Sequence, residues 1–326
     1  VFTHNPGKGR ILLGKIIIQR LVISILVMLA ASFLSYFFLY MAPGDPAVSI
    51  IKSQTGREPT QAEIEIFREN RNLNIPLLDN ITIWFGMLSK GDLGISVRTG
   101  EPVLHEFKDR FGATFLLAVI SLVLAVLIAF PLGVLAATRP GSVVDHVTRV
   151  IGLGILSIPE FWLGLMLMVL FSLTLKWLPS FGYGTIYHFI LPTVTLSTGM
   201  SALLMRLMRA SMLEVLNLDY IKMARSKGLN RPLIIWKHAF RNALIPVITI
   251  IGTQFGHLLA GTIIIETVFS WPGIGKYLVD SIYARDYPVI QGFVFIIAAM
   301  FVVINLLVDL SYAYLDPRIR FEQGRN

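Results

Sequence analysis

Long apolar runs without charge constrain this chain more than any other feature. Residues 21–42 read LVISILVMLAASFLSYFFLYMA, with no charged side chain inside. A helix rises 1.5 Å per residue, so about 20 such residues cross the roughly 30 Å of hydrocarbon in a bilayer. Five further runs of this kind follow, at 111–137, 150–175, 188–205, 242–265 and 287–308. Within them the only acidic, basic or histidine side chains are Glu160, His188 at the start of its run, and His257. Composition agrees: 15% of the residues are charged, against about 25% in soluble domains. The expectation is an all-α integral membrane protein of six transmembrane helices.

Lys8, Arg10, Lys15 and Arg20 precede the first run, as they would in a signal peptide. The run is too long for a typical signal core and Pro43 follows it without a small-residue cleavage site, so it reads as an uncleaved helix after an amphipathic leader, 1–20. Orientation follows from the distribution of basic residues. Residues 206–241 hold eight Lys/Arg against the two acids Glu214 and Asp219, and the tail 316–326 adds Arg318, Arg320 and Arg325. The connection 176–187 holds only Lys176, and 271–286 balances its charges. Both termini and the stretch 206–241 are therefore expected in the cytoplasm. The net charge of +8 is topological on this reading, since the basic residues flank spans, and no nucleic-acid partner is implied. Residues 43–110 combine the amphipathic TQAEIEIFRENRNL with the turn-rich PGDP and GDLG, and read as a small folded extracytoplasmic insertion.

Several chemistries are excluded. The chain has no cysteine, which removes disulfides, thiolate metal sites and thiol nucleophiles. Its six histidines include no pair at i, i+3 or i+4, so no helix carries a preformed multi-histidine metal site. Residues 9–16, GRILLGKI, approach the phosphate-cradling G-x-x-x-x-G-K-[ST]. However, they end on Ile16, which offers no hydroxyl to Mg²⁺, and they sit at a membrane entry. No HExxH, no G-x-S-x-G and no paired intramembrane aspartates occur. Thr198, Ser197 and Ser201 in the fourth run are expected to bond across to neighbouring helices. No catalytic residue and no bound metal or cofactor are assigned.

Against this apolar background, 219–246, DYIKMARSKGLNRPLIIWKHAFRNALIP, is conspicuously basic. Leu213, Leu216, Tyr220 and Met223/Ala224 recur at three- and four-residue steps, giving one apolar helical face. Arg225 and Lys227 point elsewhere, and Gly228 stands where a left-handed residue would end the helix. Asn230 can cap a second helix that tolerates Pro232 in its first turn. Two short helices joined by a glycine bend are expected. They are either an amphipathic surface anchor or an element that docks in a soluble partner's groove.

This pattern, with others along the chain, resembles the permease subunits of ATP-binding-cassette importers in the peptide/nickel branch. KMARSKG, 222–228, occupies the family's E-A-A-x-x-x-G frame, with Ala224 and Gly228 in place, Lys222 for the glutamate and Met223 for the first alanine. The family's later Leu-Pro is Ile245-Pro246. The resemblance extends through APGDPA (42–47), GDLGIS (91–96), SIPEFWLGL (157–165), ETVFSWPGIGKYLVDSI (266–282), DYPVIQGFV (286–294) and DPRIR (316–320). It implies a MetI-like fold with one helix before a five-helix permease core, 111–315, in a bacterial inner membrane. It implies that Asp219, Tyr220, Met223, Ala224, Arg225, Lys227 and Gly228 form a coupling helix against a cytoplasmic ATPase. It also places Glu266, Trp271, Pro272 and Gly273 at an outer gate facing a binding protein. The implied partners are a second permease subunit, two ATPase subunits carrying ATP and Mg²⁺, and an extracytoplasmic solute-binding protein. The connection 176–192 is similar to that of nickel-type permeases. Dipeptides, oligopeptides, nickel or a chelate, and glutathione-like molecules all remain open as substrates.

Residues inside the membrane suggest the path. Glu160 follows Pro159 about mid-span, where burying a carboxylate is costly unless it is paired or wetted. It either lines a water-filled path or bonds a neighbouring helix. His257, beside Gln254, either packs among Gly252, Gly256 and Gly261 or lines the same path. The rival from another class is an ion-coupled secondary transporter, for which Glu160 would be the lone acidic relay.

Overall fold

The computed structural model describes residues 22–23, 25–35, 37–38, 41, 45–70 and 77–315. The leader 1–20, the tail 316–326 with its DPRIR, and the start of APGDPA lie outside the described residues. Among those described, the regular elements are all helical, and the one extended pairing is an isolated bridge between Ile95 and Pro102.

The apolar runs become helices of unequal kinds. Four are long and apolar enough to cross a bilayer: Val103–Thr138 (α5), Ile186–Leu216 (α8), Arg231–Leu259, and Tyr287–Val308, which is part of α14 (Tyr287–Leu315). Val143–Leu156 (α6) and the helix Glu160–Thr174, which opens with α7 (Glu160–Met168), meet the same test only as a pair bent by 96°. The first run contributes the shorter apolar helix Ile25–Ser35 (α1). The expected six spans are thus four straight crossings, one broken crossing and a short apolar helix. The break has a local cause: Pro159 has no N–H to continue the helix and disfavours helical geometry at Ile158. Glu160 then opens a new helix.

Two boundaries differ from expectation. Helix α5 starts at Val103, not at 111, so the last turns of the expected 43–110 insertion are the first turns of a membrane helix. The charges Glu106, Lys108, Asp109 and Arg110 hid this continuity, because hydropathy falls where a helix leaves the apolar layer although its backbone continues. The helix expected to be short after the glycine bend is likewise the start of a 29-residue helix. It passes through a π-helical turn, Ile234–Ala239, into α11 (Phe240–Gly261).

The described residues within 1–114 and 272–302 pack as one unit, and those within 115–271 and 303–326 as another. The second unit is built around α8. Its apolar window is 61% buried, against 28% for each of the other three straight spans, and it packs on α6, α7, α11 and α12 (Ile263–Val268). Glycines set the closest approaches. A Cβ on Gly133 would lie 2.8 Å from Met208 Cβ and 2.9 Å from the Met205 carbonyl oxygen. One on Gly164 would meet Phe269 at 3.2 Å and Thr195 at 3.3 Å. Gly252 leaves no room for a Cβ beside Val308. The α8 hydroxyls correct the expectation of cross-helix bonds: Thr195 donates to the Leu191 carbonyl at 2.7 Å, Thr198 to Val194 at 2.5 Å and Ser201 to Thr198 at 2.8 Å. In a low-dielectric packed interior, a carbonyl of the same helix is the nearest acceptor and needs no partner helix.

The first unit is held by polar clasps. Asp45 caps α2 (Pro46–Thr55) by accepting the Ala47 N–H at 2.9 Å, and it takes Arg68 Nη2 of α3 (Gln61–Asn70) at 2.6 Å. Thr60 and Glu63 form a reciprocal capping box at the start of α3. The Arg57 guanidinium on Glu63, with bonds from Thr60, lowers that carboxyl to about 2. The buried Asp286 carboxylate accepts from Ser96 Oγ at 2.5 Å and from the N–H groups of Val97 and Arg98 at 3.1 and 3.2 Å, so DYP closes on GDLGIS. Tyr277 of α13 (Ile274–Tyr283) stacks under Arg110 at 3.7 Å and Arg98 at 5.0 Å.

Candidate functional site

The basic hairpin begins where α8 stops. Asn217 ends α8 with its side-chain amide donating to the Leu213 carbonyl at 3.0 Å. Leu218 is extended, and α9 (Asp219–Ser226) starts at Asp219. The apolar residues 213–224 therefore divide between two helices and do not share one face. The residue that seats α9 is Ile221, fully buried, which the periodicity reading passed over. Its signal was a single β-branched apolar residue between Tyr220 and Lys222, too short a pattern to carry a period.

Seating Ile221 turns the rest of α9 outward. Tyr220 (39% exposed), Met223 (57%) and Leu218 (45%) show apolar surface, with Ala224 half-buried between them. Tyr220 is nonetheless fixed: its hydroxyl donates to the His238 carbonyl at 3.3 Å and accepts from Asn242 Nδ2 at 2.8 Å. Asp219 takes Lys222 Nζ at 2.9 Å, and that ammonium holds its carboxyl below the usual aspartate range. Its position in the first turn also favours the negative charge. Arg225 and Lys227 are exposed. Gly228 turns the chain at φ +75°, and a Cβ there would meet nothing within 4 Å. Glycine is required there by the backbone angle, not by space. Asn230 is extended and leads into the next helix with Pro232 in its first turn, without a side-chain cap bond. Between this hairpin and its supports lies a groove of about 540 Å³, lined by Pro140, Leu213, Leu216, Arg225, Leu229 and Ile235 among others.

Glu160 stands at the head of α7, directly after the 96° break. It is exposed, and its Oε1 lies 3.1 Å from where a Cβ on Gly199 would be. Gly199 of α8 is thus the space into which this carboxylate leans, a role with no signal in the local sequence. Phe161, Trp162, Leu165 and Met166 beside it are also exposed. Gln254 and His257 sit on α11, a different helix, Gln254 half-buried and His257 exposed.

Two of the expected gate residues, Glu266 and Trp271, are interior in the second unit. Glu266 is fully buried and accepts from Thr262 Oγ1 at 2.9 Å. Trp271 is also fully buried; its N–H donates to the Glu266 carbonyl at 2.7 Å, and Tyr183 and Phe189 meet its ring edge-to-face at 4.8 and 4.6 Å. In the first unit, Pro272 is exposed, Gly273 is buried at the head of α13, and the Ile274 N–H donates to Thr114 Oγ1 at 2.9 Å.

A broken apolar helix packed on a central one, with a basic hairpin between two long apolar helices, belongs to a multi-pass membrane protein. Residues 129–321 match the family of binding-protein-dependent transport system inner membrane components, and the chain belongs to that family. It is a multi-pass inner-membrane permease subunit of an ABC importer, which sets aside the ion-coupled reading. The glutathione transport system permease protein GsiC of Pectobacterium atrosepticum is 42% identical over 305 residues, covering 94% of this chain and 98% of the relative. The dipeptide transport system permease protein DppB of Alkalihalophilus pseudofirmus is 37% identical over 331 residues, covering 93% and 98%. A chain of the methionine ABC transporter MetNI, solved in inward-facing conformations, shares the fold at a TM-score of 0.54 and 18% identity, over 65% of this chain and 97% of that one.

Proposed function

We propose that α9 is the surface on which a cytoplasmic ATPase subunit docks, and that this chain forms half of a path for a small peptide, of the glutathione or dipeptide class. The observation that carries the docking reading is the combination in α9 of an exposed apolar face and a fixed seat. Met223 and Tyr220 face outward while Ile221, the Tyr220 hydroxyl and the Gly228 bend hold the helix in place. A movable partner can push such a helix without first ordering it, so little of its closure is spent on local rearrangement. The peptide class rests on the relatives, which are named for glutathione and dipeptide transport.

On this reading the hairpin and both termini are cytoplasmic. A second permease subunit completes the path beside Glu160, and ATP with Mg²⁺ is held by two ATPase subunits. A solute-binding protein meets the extracytoplasmic helices α2, α3, α4 (Leu77–Leu88) and α13. His257 and Gln254 belong to the path, and Glu266 with Trp271 to the packing that closes its outer end.

The test uses the assembled importer in proteoliposomes. Ala224→Glu places a charge in the docking face of a helix whose seat is Ile221. Membrane insertion is expected to be unchanged, while stimulation of ATP hydrolysis by the loaded binding protein and uptake of labelled glutathione or dialanine are lost. Normal uptake by this variant would refute the docking reading.

A further inference from the structure

Helix α9 is reached through α8 and left through the helix that starts at Arg231, and both supports are fastened to the same turn. That turn joins α5 to α6. Thr138 ends α5, Gly141 reverses the chain at φ +76°, and Ser142 caps α6 by accepting the Asp145 N–H at 3.3 Å. Asp145 is the buried charge in it, with 3% of its side chain exposed. Its carboxylate accepts the Gly141 N–H at 2.9 Å and, from α8, both arms of Arg209: Nε at 2.5 Å and Nη2 at 3.0 Å. Arg149 Nε stands 3.6 Å away. On the other flank of α9, Arg231 Nη2 donates to the Thr138 carbonyl at 2.8 Å.

Arg209 lies about two turns before the end of α8, and Arg231 lies just beyond the Gly228 bend. The hairpin is therefore pinned before and after α9 by two guanidinium groups to one short stretch, 138–145. The first pin is bidentate, which fixes orientation as well as distance. Its carboxylate is buried and also holds a backbone N–H, so it has no alternative partner in water. The second caps a helix carbonyl that would otherwise lack an intrahelical donor.

We propose that Asp145 and Arg209 are positioning residues for α9: the turn 138–145 and the hairpin 209–231 move as one rigid body, so that a push on α9 reaches α5 and α6 as well as α8 and α11. The inference rests on the docking role of α9. The role belongs to transmission and not to folding alone, because the two pins bracket the docking helix instead of any interior layer.

Two measurements on the reconstituted importer, with its ATPases and binding protein, test it. In the first, uptake of labelled glutathione or dialanine per ATP hydrolysed is compared among Arg209→Ala, Arg209→Lys and the parent. Arg209→Ala is expected to co-purify with its ATPases and lower this ratio about tenfold, within the usual range of coupling factors. Arg209→Lys, which keeps the charge, is expected to recover most of it. An unchanged ratio in Arg209→Ala would overturn the proposal, as would a Lys variant no better than Ala. The second holds even if Arg209 variants fail to assemble. The chain has no cysteine, so Thr138→Cys with Arg231→Cys can be bridged by a short bis-methanethiosulfonate, each thiol displacing methanesulfinate to form a mixed disulfide. If the segments travel together, the bridged protein transports at least as well as the unbridged one. Loss of uptake on bridging, restored by a reductant, would show that they separate and would overturn the proposal. If Ala224→Glu transports normally, the docking reading itself falls. If it does not, and Arg209→Ala keeps its ratio, only the present inference falls.

Discussion

Gly133 and Gly154 both lie on helices of the second unit, yet a methyl group would meet opposite receptions. At Gly133 it would press on Met208 and on the Met205 carbonyl oxygen, a backbone atom that moves only if α8 moves. At Gly154 nothing lies within 4 Å. Overpacking of the first kind costs about 1–3 kcal/mol, whereas replacing an unobstructed helical glycine stabilises by about 0.4–1 kcal/mol. Gly133→Ala is expected to lower the thermal midpoint of the purified protein in detergent, and Gly154→Ala to hold or raise it. Equal midpoints would show that α5 and α8 approach less closely than the structure has them. Sequence alone gives the two glycines the same weight, since each stands in an apolar helical run. The same holds for Gly199, whose part in making room for Glu160 follows only from the folding of α7 against α8.

At the level of elements, α9 shows how far pattern reading reaches. The left-handed Gly228 was legible, because a glycine after a basic, amphipathic segment is the residue that ends a helix at low cost. With open space around it, Gly228→Ala pays only the backbone term, about 1–2 kcal/mol for an L-residue in the left-handed region. Gly228→Asn, whose side chain tolerates that region, is expected to lose less. Native-state proteolysis between Ser226 and Asn230 measures the difference, with Ala cut faster than Asn and Asn faster than Gly. The seat of α9 was not legible. Periodicity placed Tyr220 and Met223 on one apolar face with Leu213 and Leu216, but α8 ends at Leu216 and the phase of the pattern restarts at Asp219. Ile221 then takes the buried position. A break of two residues, Asn217 and Leu218, is enough to rotate the whole face.

Across the whole molecule, the polar motifs outside the apolar runs find their meaning in pairs distant in sequence. Asp286 meets Ser96, Val97 and Arg98 almost two hundred positions away. Because the site is buried, removing the carboxylate leaves two N–H groups and a hydroxyl without their acceptor, about 1–3 kcal/mol for each group left unsatisfied. Asp286→Ala is expected to open 91–102 to limited proteolysis, while Asp286→Asn, which keeps one carbonyl acceptor, is expected to be partly protected. Resistance of Asp286→Ala equal to the parent would show that other contacts hold the GDLGIS loop.

What the sequence determined by itself is whatever depends on local composition. Apolar length set the membrane-spanning class, a proline placed the break before Glu160, a glycine placed the bend after α9, and a chain-long series of motifs pointed to the permease family. What only the tertiary structure decided depends on which face meets which neighbour. That includes α8 as the central helix, Ile221 as the seat of α9, the burial of Glu266 and Trp271, and the fastening of the hairpin's two flanks to one turn by Arg209 and Arg231. The physical reason is range. Hydropathy and backbone preference act over a few residues and leave their record in order. Packing and charge pairing act across space, where a one-residue change of helical phase exchanges inside for outside.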